Sequence, residues 1–143
     1  MLDKLINFIE EKSDIYTEFL KRMNTYPSVC DYSSMILGAY LNKIFNIGST
    51  YISGDFNINN EDEGEIHNWL NIDGIIIDFT LSQFLPNVDK EFIIMENSYL
   101  YNKYEDLEEY EIPKKYITIA NNSSSFEDYL IKIKKANIES MFN

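Results

Sequence analysis

Three side chains able to do covalent chemistry stand in telling places: Cys30, His67 and Asp78. The cysteine and the histidine are each the sole residue of their kind in the chain. Cys30 comes just ahead of an apolar run with helical spacing. At a helix start the free backbone N–H groups and the dipole favour a thiolate, and the same groups can hold an oxyanion. His67 and Asp78 flank the turn pair Asp73-Gly74 within IHNWLNIDGIIIDFTLSQF, residues 66–84. If Asp73 and Gly74 are the two turn residues, Ile72 faces Ile75, Leu70 faces Ile77, Trp69 faces Asp78 and His67 faces Thr80. His67 and Asp78 are then diagonal neighbours on one sheet face, with Cβ atoms roughly 7 Å apart. A three-residue turn would put them on opposite faces, because one residue of slip reverses every side chain. Asp-Gly favours the two-residue turn. A thiol, an imidazole base and a carboxylate that fixes its tautomer make a Cys-His-Asp nucleophilic set.

Each residue also has a plainer role. A lone cysteine before an apolar helix often packs as a small hydrophobe, a strand histidine can be structural, and a buried aspartate can serve a turn. Their joint occurrence favours chemistry. Trp69 is expected to pack in the hairpin. Gln83 either donates a hydrogen bond near the site or ends the strand. Asp55, Asn57 and Asn59 open like a calcium loop, but Asn60 and Ile66 stand where glycine and glutamate belong. No metal or cofactor is expected, and one cysteine offers no metal cluster.

The elements that must position these residues follow from periodicity. Residues 2–23 carry apolar positions at i, i+3, i+4 and i+7, an amphipathic helix that Ser13-Asp14 could split. Tyr26-Pro27 breaks it. Residues 30–45 read as a second helix, apolar nearly all round and so buried at the centre, with Gly48 as its stop. Residues 49–56 read as a strand and 57–65 as an acidic loop. The hairpin follows, its return arm apolar apart from Asp78, as in a strand buried on both faces. Residues 90–96 read as a strand, 99–111 as an exposed acidic excursion and 115–120 as a strand. A closing helix begins with a capping box from Ser124 to Glu127 and turns Phe126, Leu130, Ile133 and Met141 inward. The class is α+β, with a buried helix from the N-terminal half packed on an antiparallel sheet in one domain, residues 1–143.

The chain has 143 residues, 45% of them apolar and 15% aromatic, too many for a disordered polymer. Its formal charge is −12, which argues against a nucleic-acid binder. That charge serves solubility or, more sharply, a basic partner. No apolar run reaches the roughly 18 residues of a membrane span, and the N-terminus lacks the form of a secretory signal. A lone thiol suits the reducing cytoplasm.

The segments VCDYSSMILGAYLNKIFNIGSTYISGDF (29–56) and HNWLNIDGIIIDFTLSQF (67–84) together resemble the transglutaminase-like branch of the papain-like cysteine enzymes. That pattern is a cysteine opening a buried helix, a strand ending near a glycine, then H-x-W and a hairpin to an aspartate. The resemblance implies a papain-like fold with Cys30 as nucleophile, His67 as base and Asp78 as orienting acid. Tyr32 matches a tyrosine two residues after the cysteine, Gly54 the strand-end glycine and Trp69 the tryptophan of H-x-W. Val29 departs from a common glycine, residues 47–50 follow the strand pattern loosely, and Phe79 replaces a proline. The run from Asp78 through Gln83 to Phe84 is closer to the D-x-T-x-x-Q-F of small bacterial members similar to peptidases or glutamine deamidases. A thiol-dependent amide hydrolase or acyltransferase acting on a protein or peptide is therefore expected, as peptidase, deamidase or transglutaminase. The alternative is a non-catalytic acidic binding or inhibitor module on the same fold.

Overall fold

The N-terminal apolar stripe makes one helix, α1 (Leu2–Arg22), rather than two. Ser13 does not cap: its hydroxyl donates to the Glu10 carbonyl (3.0 Å), so the helix runs through. Leu5, Ile9, Tyr16, Phe19, Leu20 and Met23 form its buried side. The computed structural model describes residues 2–23, 29–46, 48–56, 65–72, 74–78, 93–96 and 104–142.

Helix α2 (Val29–Phe45) is the expected central helix, burying Ile36, Leu37, Ala39, Tyr40 and Leu41. It ends at Asn46, not at Gly48. Asn46 takes φ of 51°, the left-handed conformation that asparagine tolerates after a helix.

Five strands follow: β1 (Thr50–Phe56), β2 (Glu65–Ile72), β3 (Ile75–Asp78), β4 (Ile93–Glu96) and β5 (Tyr104–Glu111). They form one sheet in the order β4-β3-β2-β1-β5, each neighbouring pair antiparallel. The pairs Ile72–Ile75, Asn71–Ile76 and Leu70–Ile77 leave only residues 73 and 74 for the turn. Gly74 has φ of 85°, which the hairpin turn requires and a side chain resists.

Two expectations fail after the hairpin. Residues 99–111 are not wholly an excursion, because β5 pairs along β1 from Thr50–Glu111 to Phe56–Tyr104. An outermost strand tolerates charge on its open flank, so Glu108, Glu109 and Glu111 stay exposed while Tyr110 stacks on Tyr51 at 5.2 Å. The strand expected over 115–120 is helix α3 (Lys114–Asn121). Its β-branched residues favour a strand locally, but Tyr116 and Ala120, one helical turn apart, are what the core buries. Pro113 starts it, accepting the N–H of Tyr116 at 3.2 Å.

Helix α4 (Phe126–Phe142) closes the chain, so two helices end it instead of one. Its capping box lies one residue later than expected. The Asp128 N–H donates to Ser125 Oγ (3.0 Å), and the Ser124 N–H donates to the Asp128 carboxylate (3.0 Å). Glu127 is thereby free to meet Lys12 of α1 at 2.8 Å. The helices pack aromatic rings together: Phe126 lies 5.0 Å from Tyr40, 5.5 Å from Phe8 and 5.7 Å from Tyr16. The sheet adds Leu70, Ile72 and Ile77 to this core. The architecture is α+β with an antiparallel sheet.

Candidate active site

The candidate nucleophile position, residue 30, lies in the first turn of α2, where the unpaired helix N–H groups are. Residue 67 pairs with Gly54 of β1, and Asp78 ends β3. The side chains of Cys30, Tyr32 and His67, and the whole of Gln83, lie outside the described part of the structure, as do Thr80 and residues 57–64 with the calcium-like pattern.

Continuing the hairpin register by one pair sets Trp69 opposite Asp78. Strand alternation then gives residue 67, Trp69, Asn71, Ile76 and Asp78 one parity, with 67 and 78 as diagonal neighbours. Trp69 is 1% exposed and Asp78 3% exposed. Trp69 is buried in the hairpin. A carboxylate this deeply buried is tolerable only with polar or charged company.

The two faces of the sheet are used differently. Leu70, Ile72 and Ile77 face the helices, and α2 lies so close that a Cβ on Gly38 would come 2.8 Å from Leu70 Cδ1 and Ile112 Cδ1. Ile52, Trp69, Ile76 and Asp78 are buried on the opposite face. The structure therefore gathers positions 67 and 78 on one face and lays α2 against the other.

Positions 30 and 67 lie toward the same end of the sheet but on its opposite faces, so the structure brings 67 and 78 together and does not bring residue 30 to them. Ser49, just before β1, donates to the Gly38 carbonyl at 3.1 Å, so the chain doubles back after Phe45 and α2 runs against β1. Because β2 is antiparallel to β1, α2 and β2 run the same way. From the Gly38–Leu70 contact, residue 30 lies about 12 Å back along the helix and residue 67 about 10 Å back along the strand. Both reach the same end of the sheet. At that level β1 and β5 shift register between Ser53 and Asp55, beside the Gly54–His67 pair. Such bulges often re-aim groups near sites.

Sequence patterns alone did not mark the residues that hold α2. Buried Tyr16 and Tyr129 donate to the carbonyls of Ser33 (2.5 Å) and Ile36 (2.7 Å). Burial pushes both phenols well above their ordinary range, so both remain neutral donors. The available signal was tyrosine, which carries a hydroxyl that needs a partner, on an inner stripe otherwise without polar atoms. Among the described residues no group of three His, Cys, Asp or Glu side chains could hold a metal ion. No described helix is long and apolar enough to cross a membrane. No family model, curated protein or solved structure matches the chain.

Proposed function

We propose that the chain is a papain-like, transglutaminase-like thiol enzyme that acts on an amide of a protein or peptide. The observation that carries this is the two-residue hairpin turn, which makes residue 67 and the buried Asp78 diagonal neighbours. The Cys30 thiolate attacks the amide carbonyl, forming the thioester as the amine leaves. His67 delivers the proton taken from the thiol to that amine, and Asp78 holds the imidazole in its working tautomer. Water drawn in by His67 then resolves the thioester, giving peptide cleavage or glutamine deamidation. An amine acceptor in place of water gives transglutamination. The H-x-W and D-x-T-x-x-Q-F segments support the same assignment, as does the place of residue 30 in the first turn of a buried helix.

The test is alkylation of the sole thiol in the native protein. Cys30 should react with iodoacetamide at about pH 6 to 7 faster than free cysteine does. Labelling no faster than free thiol, together with an unchanged biological effect of Cys30→Ala, would end the proposal. Mass spectrometry of treated proteins separates the chemistries, since deamidation adds about one dalton and cleavage splits the chain.

A second proposal, a non-catalytic acidic binding module on this fold, draws on one specific observation. Helix α2 packs on the Leu70 face, while residue 67 has the parity of Trp69. The charge of −12 would then serve a basic partner. In that case Cys30→Ala retains full partner binding and full phenotype.

A further inference from the structure

Helix α2 is tethered by hydroxyl donors from three other parts of the chain. Tyr16 of α1 donates to the Ser33 carbonyl (2.5 Å), Tyr129 of α4 to Ile36 (2.7 Å), and Ser49 ahead of β1 to Gly38 (3.1 Å). All three donors are buried. A carbonyl inside a helix also accepts the N–H four residues on, so each hydroxyl uses a second lone pair. Apolar packing is non-directional and leaves a helix some freedom to slide or rotate. Directional bonds inside a low-dielectric core remove that freedom.

Ser33 is the tethered position nearest the helix start, three residues beyond Cys30 and therefore on the same side of the helix. We propose that Tyr16 is a positioning residue for Cys30, its hydroxyl latching the second turn of α2, directly behind the turn that carries Cys30, so that the free N–H groups at the helix start keep their alignment. This rests on the thiol-enzyme assignment above. Helix ends fray where nothing holds them. Losing the latch would cost thiolate stabilisation before it cost the fold.

The test uses Tyr16→Phe in the full chain, which keeps the ring and removes one oxygen. Ile133→Val is the control, because it trims a fully buried α4 side chain without touching a tether. The iodoacetamide rate is followed against pH for both and for the wild type, with circular dichroism to confirm folding. Tyr16→Phe should move the profile to higher pH and slow alkylation at about pH 6 about fivefold. Ile133→Val should retain the wild-type profile. Tyr129→Phe, one turn further along, should shift the profile in the same direction by less, and it replaces Tyr16→Phe if that variant does not fold. Wild-type profiles in both tyrosine variants overturn the positioning role and leave the thiol enzyme standing. A wild-type thiol that titrates like free cysteine overturns both.

Discussion

On the helix-covered face of the sheet, Leu70, Ile72 and Ile77 join the core that holds Phe126, Tyr40 and Tyr129, and α2 is tied there by hydroxyls donating to backbone carbonyls. On the other face, Ile52, Trp69 and Ile76 are buried equally well, yet they keep company with an aspartate. The same strands thus serve one side built for packing and one that tolerates an ionisable group in its interior. Burying a carboxylate is costly unless it is paired, so its presence marks the face where chemistry or recognition is to be sought.

The largest effect that would break this contrast is on activity. On the proposed thiol-enzyme function, Asp78→Asn changes one buried atom and should lower the rate of turnover by about 10³–10⁴-fold through loss of the imidazole tautomer. Circular dichroism should show the fold retained. If turnover survives, the Asp78 face is packing like its counterpart.

Next comes the helical face. Phe126→Ala removes a fully buried ring that touches α1 and α2, and should cost about 3–5 kcal/mol in chemical denaturation. Gly38→Val is smaller. Its side chain would press on Leu70 and Ile112 from 2.8 Å at the Cβ, costing about 1–3 kcal/mol, less whatever those side-chain ends can yield. A neutral Gly38→Val would mean that the ends of Leu70 and Ile112 swing aside, and that the contact between α2 and the sheet is not tightly packed.

Gly74→Ala probes the turn on which the relation of residues 67 and 78 depends. No atom lies within 4 Å of the added Cβ, so the cost is that of placing a side chain at φ of 85°, about 1 kcal/mol. The smallest effect is the Lys12–Glu127 bridge at the edge of the helical layer. The hydrogen bond from Lys12 holds the Glu127 carboxyl below its ordinary range, and the same bond raises the Lys12 ammonium. A depressed carboxyl contributes stability above its unfolded pKa and loses it as pH falls through the folded one. Lys12 mirrors this, losing its contribution as pH rises through its raised value. Glu127→Gln should cost less than about 1 kcal/mol at neutral pH, since the pair is partly solvated, and the gap to wild type should close in acid.

The sequence made some of this legible and hid the rest for physical reasons. Asp73-Gly74 announced the hairpin because so few residues accept its turn, and the alternation around it carried the relative parity of residues 67, 69 and 78. The strand assigned to residues 115–120 failed because Ile117, Thr118 and Ile119 favour strands locally, while burial of Tyr116 and Ala120 selects a helix. Strand β5 escaped notice because Glu108, Glu109 and Glu111 put acid on both of its faces, which erases alternation. The face to which α2 binds was not readable at all. Trp69 and Leu70 are both large, apolar and buried, so period-two patterning ranks neither as the helix side.

The chain's only histidine makes the central relation directly measurable, because a single imidazole gives an unambiguous signal in long-range proton–nitrogen spectra. If residue 67 is the diagonal partner of Asp78, the neutral imidazole should carry its proton on the nitrogen facing that carboxylate. Asp78→Asn should then shift its resonances and mix the tautomers. His67 signals identical in wild type and Asp78→Asn would contradict the account.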